Sequence, residues 1–270
     1  MSHQTKVGEL YDRLLDNEAE KLAADNLTIH KRLQFPNGEF TDTHDWILKQ
    51  LDLPADAHIL DAGCGIGGTL FALLGEKRTG IGITLSHNQV ETARKQAARL
   101  GLANRCTFIQ QSYDEPLNDR FDLIISIEAL IHSPDLTTTM QNLARHLKPA
   151  GRLLIIEDIA ADHLVPSPIT EIWQQSWSIR SIYSQLDYFN AIQAAGLTIT
   201  ENHDFTPFVP AKRWPSWFVR VAWQLVQKIP SAKNRARDIF VGGWALESLY
   251  RSNSIRYRAT ILTSNKCISD

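Results

Sequence analysis

Three groups of residues in this sequence have the types and spacing for chemistry. The first is Ile59-Leu-Asp-Ala-Gly-Cys-Gly-Ile-Gly-Gly-Thr69, where a short apolar run gives way to glycines and then to a helical pattern. Glycines at 63, 65 and 67 let the chain turn sharply and let a ligand approach the main chain closely. Gly63-x-Gly65-x-x-Gly68 also satisfies a dinucleotide fingerprint, which is a weak signal on its own. Two details weigh against a dinucleotide. Asp61 stands two residues ahead of the first glycine, where a carboxylate suits a cationic amino group and would repel a pyrophosphate. A dinucleotide site also expects an acid about twenty residues on, at the end of the second strand. Here that end reads Gly82-Ile-Thr-Leu-Ser86, without one.

The second group is Ser126-Ile-Glu-Ala-Leu-Ile-His-Ser-Pro-Asp135, directly after an apolar run. Glu128 and His132 are four apart, a spacing that predicts one shared face of a helical turn. A carboxylate and an imidazole at that place are candidates for proton transfer. The plainer alternative has Glu128 orienting a ligand and His132 capping a helix. The third group comes late: six of the seven tryptophans (173, 177, 214, 217, 223 and 244) follow residue 170, interleaved with Lys212, Arg213 and Arg220. Trp173/Trp177 and Trp214/Trp217 are spaced to face one way on a helix. Aromatic faces stabilise cations; the same pattern serves core packing, a dimer contact or a membrane-interface face.

These residues need elements to position them. Short apolar runs at 58–62, 79–85, 106–110, 121–127 and 152–157 alternate with helical patterns at 67–74, 86–100 and 137–147. Ser86 is a natural N-cap and Gly101 a natural stop. Strands alternating with helices predict an α/β fold, a doubly wound, Rossmann-like, mostly parallel sheet. After Asp158 the pattern loosens into Pro- and Trp-containing segments, then resumes with a helix at 186–195 and strands at 197–202 and 255–263. About fifty residues with two helical patterns separate those last strands, too many for a plain connection and better read as an inserted lid. The expected organisation is an N-terminal helical cap (1–50), a core (51–205), a helical lid (206–253) and a last, antiparallel strand with the tail (254–270).

The loop Asp61-Ala-Gly-Cys-Gly-Ile-Gly67 and the turn Leu147-Lys-Pro-Ala-Gly-Arg-Leu153 resemble the class I S-adenosylmethionine-dependent methyltransferases. Gly82-Ile-Thr-Leu-Ser-His-Asn-Gln89 and the Glu-Ala-x-x-His-x-Pro run at 128–134 are similar to the branch of tocopherol, sterol, geranyl diphosphate and cyclopropane fatty acid enzymes. The resemblance implies cofactor contacts from Asp61, Gly63, Cys64, Gly65 and Gly67, then Thr84, Leu85 and Gln89, then Ser112 and Tyr113, and Ile127. Thr84 and Gln89 would hold the ribose hydroxyls in place of the usual acid. Ser112 stands where the class usually has Asp, which leaves the adenine contact open among Ser112, Tyr113 and Asp114. In related C-methyltransferases a glutamate at the place of Glu128 is the candidate proton acceptor for a tertiary carbocation. The implied activity is methylation of a small molecule, first of all at carbon of an isoprenoid-like alkene such as a prenyl diphosphate. Trp173, Trp177 and Trp217 would take the apolar chain; Lys212, Arg213 and Arg220 would take the anion, with Mg²⁺ if a diphosphate is bound. The rivals are an N- or O-methyltransferase of an amine or phenol, and a cofactor-binding cyclase or non-catalytic binder. His30, in Asn26-Leu-Thr-Ile-His-Lys-Arg32, is a weaker site candidate, because the glycine and aromatics of that branch do not follow it.

Composition narrows the partners. The 270 residues, 43% hydrophobic and 21% charged, have an ordinary globular balance. No run of eighteen apolar residues exists, and Met1–Leu10 lacks a secretory apolar stretch, so a cytoplasmic location is expected. Cys64, Cys106 and Cys267 are far apart and read as free thiols, with no structural metal framework. From Thr206 onward eleven Lys/Arg meet three acids, a net +8, while the rest of the chain carries −10. That asymmetry suggests an anionic partner for the late part. No nucleic-acid module is present; a homo-oligomer stays open.

Overall fold

The computed structural model describes residues 2–24, 30–162, 164–212, 214–228 and 234–264. Its strands are β1 (His58–Ala62), β2 (Thr79–Thr84), β3 (Cys106–Gln110), β4 (Phe121–Ile127), β5 (Leu147–Ala160), β6 (Leu197–Asp204) and β7 (Ile255–Ser264). They form one seven-stranded sheet in the order β3-β2-β1-β4-β5-β7-β6. The first five neighbours are parallel, and β7 runs antiparallel between β5 and β6. This is the expected doubly wound, Rossmann-like sheet with an antiparallel last strand. Leu60, Ile124 and Leu153 on one face and Ile59, Leu123 and Leu154 on the other are fully buried, as strands covered on both sides require. In register, Asp61 lies between Gly82 of β2 and Ile125 of β4, at the centre of the sheet's carboxyl edge.

The helices are α1 (His3–Ala24), α2 (Thr43–Gln50), α3 (Gly68–Leu73), α4 (His87–Arg99), α5 (Leu136–Arg145), α6 (Pro168–Trp177), α7 (Gln185–Ala194), α8 (Ser216–Gln227) and α9 (Asn234–Arg251). Ser86 caps α4 as expected, its hydroxyl accepting from the Gln89 backbone N–H at 3.1 Å. Asp12 of α1 reaches the same end: its Oδ1 accepts from the Ser86 hydroxyl and from the Asn88 N–H at 3.0 Å. A carboxylate suits the free N–H groups at a helix start, so α1 is anchored across the mouth of the sheet. Contact there is close, since a Cβ on Gly8 would lie 2.8 Å from the Leu85 carbonyl oxygen.

The stretch after Asp158, loose in the sequence, contains α6. Ser167 and Thr170 form a reciprocal capping box around Pro168 at the first turn. α6 packs on α9, and α9 on α8, so this helix joins the inserted pair in one wall. A Cβ on Gly242 would fall 2.4 Å from Ser176 Cβ, so α6 and α9 touch almost backbone to backbone. No described helix is long and apolar enough to cross a membrane.

Candidate active site

The glycine loop rounds the end of β1 with Gly63 at φ +99°, a conformation only glycine adopts freely. A Cβ there would also sit 2.3 Å from Ala129 Cβ, so the position tolerates no side chain. The loop opens onto a cavity of about 120 Å³. Of the sequence-predicted cofactor residues, Asp61, Gly63, Cys64 and Gly65 line it, as do Thr84, Leu85, Gln89, Tyr113 and Ile127. Gly67 and Ser112 do not. Gly67 turns the chain into α3, and Gly68 faces the cavity in its stead. Ser112 Oγ already accepts from Gln4 Nε2 at 3.1 Å and from the Asp114 N–H at 3.1 Å, while Gln111 lines the cavity.

The cavity's polarity is specific. Asp61 is 3% exposed and its Oδ2 is buried without a partner. Burial pushes its carboxyl up to about 7. An orphaned acid at a cavity wall is a receptor for a cation. The Thr84 hydroxyl donates to Gln89 Oε1 at 2.7 Å, which leaves the Gln89 amide N–H groups as that wall's donors. Tyr113 donates to the Ala129 carbonyl at 3.1 Å, and so offers the cavity only its ring. An ammonium at Asp61, hydroxyls at Gln89 and a flat ring beside Tyr113 are the needs of S-adenosylmethionine, and the residues fit them.

A second cavity of about 360 Å³ adjoins the first. Tyr11, His30, Glu128, His132 and Trp177 line both, so these five mark the junction. Glu128 and His132 meet there without sharing a helix face, which corrects the expectation from their spacing. Glu128 sits at φ +52° with its N–H bonded to the Ile156 carbonyl at 2.9 Å, and His132 lies in a separate 3₁₀ turn, Leu130–His132. A left-handed residue breaks the helical path between them.

Glu128 Oε1 accepts from the Lys31 backbone N–H at 2.9 Å and from the Tyr257 hydroxyl at 2.7 Å, with Lys31 Nζ at 3.2 Å. Burial would raise its pKa, but Lys31 and the two donors prevail and hold it below the usual carboxylate range. Lys31 Nζ also binds Asp158 Oδ2 at 2.8 Å and lies 4.5 Å from the centre of the Tyr257 ring. Glu157, at the same sheet edge, is pushed up to about 8 by burial and by the adjoining Asp158, so it keeps its proton near neutrality. Its Oε2 accepts from the Ile131 N–H at 3.1 Å. Asp158 accepts from the Tyr250 hydroxyl of α9. His132 Nε2 is 3.0 Å from the Tyr11 hydroxyl of α1, and burial, reinforced by His3, lowers its pKa to about 4. The imidazole is therefore neutral throughout the physiological range.

Trp173, 2% exposed, and Trp177 face the second cavity as their spacing predicts, and the Trp177 indole Nε1 is buried without a partner. Trp214 and Trp217 do not face one way. Trp214 precedes α8 and stacks on Phe218 at 4.8 Å, whereas Trp217 is 68% exposed. Lys212, Trp217 and Arg220 line neither cavity, and Arg213 lies outside the described residues. Sequence reasoning missed Lys31, Tyr11, Glu157 and Asp158. A signal existed for the last two: they end β5 beside β4, at the edge where such sheets bind ligands. Lys31 carries no such mark.

A family model described as a methyltransferase domain matches residues 53–207. The chain belongs to the class I S-adenosylmethionine-dependent methyltransferases. It is 32% identical over 211 residues to an O-methyltransferase of Penicillium expansum, covering 74% of this chain and 75% of that one. It is 33% identical over 165 residues to a methyltransferase of Streptomyces halstedii, spanning 58% of this chain but only 59% of its relative. Sterol and tocopherol methyltransferases match over stretches that span about half their length or less. A solved structure described as a putative sarcosine dimethylglycine methyltransferase from Galdieria sulphuraria shares the fold. Its TM-score is 0.74 at 21% identity, over 93% of this chain and 100% of that one.

Proposed function

We propose that this methyltransferase acts on an oxygen of a neutral, largely apolar small molecule, with His132 as proton acceptor. The observation that carries the reading is the uncharged His132, paired with the Tyr11 hydroxyl at the junction of the two cavities. When bound, S-adenosylmethionine supplies a methyl group on a sulfonium, open to in-line displacement by a nucleophile. Asp61 would hold its ammonium and Gln89 its ribose, while Val7 and Tyr11 of α1 cover it. The acceptor hydroxyl would lie at Tyr11 and pass its proton through that hydroxyl to His132 Nε2, leaving an oxygen lone pair to form the new O–CH₃ bond. Ionised Glu128 in the same wall stabilises the imidazolium so formed. Trp173, Trp177 and Ile131 would hold the apolar body and exclude water.

The lining argues against a diphosphate. Glu128 and Asp158 stand in the second cavity's wall, and its two cations, Lys31 and Arg32, already have partners. The Penicillium expansum relative, matched over three quarters of its length, is also an O-methyltransferase. One observation favours methylation at carbon instead: Glu128 Oε2 takes no hydrogen bond among the described residues, and an open carboxylate oxygen would stabilise a carbocation and receive its proton. Paired variants decide between the two. His132→Gln should lower turnover by about 10²–10⁴-fold at saturating cofactor, with cofactor affinity retained, on hydroxyl-bearing acceptors from a panel that also contains alkenes. Full turnover in His132→Gln together with its loss in Glu128→Gln would overturn the oxygen reading.

A further inference from the structure

α8 carries more apolar surface than the fold uses. Its inner side packs Val219, fully buried, and Phe218, which lies 5.7 Å from Trp244 of α9 and 4.8 Å from Trp214. Its outer side repeats the apolar character at every fourth residue: Trp217 is 68% exposed, Val221 48% and Leu225 58%. Phe240 of α9, 62% exposed, adds to the apolar surface of this helix pair. A helix that is apolar on both sides belongs between two layers, and among the described residues the outer side has no layer over it.

The charges around this stripe say what the missing layer is. Arg220 is exposed on α8 itself, Lys228 is exposed at its C-cap, and Lys212 is exposed just before it. Between Asp204 and Asp238 the sequence has seven Lys/Arg and no acid at all. A second copy of this face would bring like charges together over its apolar centre. An apolar stripe with Trp, whose rim carries more cations than acids and whose two acids already accept from the Gln227 amide (Asp238) and the Lys212 N–H (Glu247), instead complements an anionic lipid surface: aromatic and aliphatic groups enter the headgroup boundary while Lys and Arg meet phosphates.

We propose that α8 is a docking face for an anionic bilayer surface, on which the enzyme rests without crossing it. Its position gives the docking a use. Val209, Pro210 and Ala211, directly before Lys212, and Gly243 and Leu246 of α9 form the adjoining wall of the second cavity. An apolar acceptor dissolved in the lipid would meet that cavity without a passage through water. This inference does not depend on which atom is methylated.

Flotation of the full chain with vesicles tests it. Phosphatidylcholine vesicles carrying a minority of phosphatidylglycerol should bind the protein, and pure phosphatidylcholine vesicles should bind it at least tenfold more weakly. Binding should fall with added salt, by the logic of about fivefold per cation near the surface. Arg220→Glu with Lys228→Glu, and separately Trp217→Ser with Leu225→Ser, should each lower the bound fraction at least tenfold. Their melting temperatures should stay unchanged, because these side chains point outward. Brominated lipid should quench part of the tryptophan emission, and Trp217→Phe should remove that part. Absence of binding to anionic vesicles, equal binding to neutral ones, or binding indifferent to both double variants would overturn the proposal. So would sedimentation showing a dimer that Trp217→Ser dissociates, since the face would then be covered by a second copy.

Discussion

The two cavities are neighbours built on different principles. The first is made by backbone: Gly63 at φ +99°, the β1–β2–β4 register around Asp61, and a capped helix start at Ser86. Most of its lining comes from strand ends and the loops that follow them. The second is made by side chains from seven separate stretches, tied by Lys31, Glu128, Asp158, Tyr250 and Tyr257 into one charged knot. A cavity framed by backbone suits a ligand that never changes. One framed by side chains can be re-lined by single substitutions, which suits the part of an enzyme that differs between relatives acting on different molecules.

The largest expected effect tests the knot. Lys31→Met removes the cation that two carboxylates share and should destabilise the protein by about 3 kcal/mol or more, read as a lowered denaturation midpoint. Adding Glu128→Gln and Asp158→Asn should restore much of that. An unchanged midpoint in Lys31→Met would mean the second cavity is also held by its backbone, and the contrast would fail. Next comes Asp61→Asn. Cofactor affinity should fall more than tenfold, for the loss of about 1.5–3 kcal/mol, while the ligand-free protein melts little or no lower, because Oδ2 is buried without a partner and the amide oxygen of Asn can still accept the Leu70 N–H. A lowered melting point with intact affinity would make Asp61 a structural residue. The smallest effect is graded with pH. Asp61 titrates at about 7 when folded and ligand-free, against 3.8 ordinarily. A cationic ligand needs it ionised, so binding expels a proton below pH 7, and affinity should drop about tenfold per pH unit there and level off above. The unfolded chain gives up that proton first, so the same group costs the ligand-free protein stability as pH rises from 3.8 toward 7. Calorimetry across pH that shows a flat affinity would place the ammonium elsewhere.

The same contrast decides what was legible in the sequence. Glycine spacing, the Asp61 position and the Ser86 cap are local signals, and they pointed to most of the residues that line the first cavity. Ser167-Pro168-Ile169-Thr170 is local too, and its capping box announces α6 although the Pro- and Trp-containing stretch looked irregular. Long-range pairing leaves no such trace. Lys31 meets Glu128 and Asp158 across 97 and 127 positions, and nothing near residue 31 marks it as their partner. Spacing misled at Glu128 and His132 because one left-handed residue replaced the assumed helix, and at Trp214 and Trp217 because α8 begins between them.

α1 joins four parts of the site. Gln4 holds Ser112, Asp12 holds the start of α4, Gly8 lies on the Leu85 carbonyl, and Tyr11 holds His132. One rigid rod thus spans the first cavity and supplies the imidazole's partner in the second. In kinetic language, a helix covering the first cavity predicts a compulsory order, cofactor before acceptor and methylated product away before the spent cofactor, which product-inhibition patterns would check. If Tyr11 carries the proton as proposed, a helix that lifts for cofactor exchange would break that path, and cofactor exchange and proton transfer would fall in separate phases of one cycle.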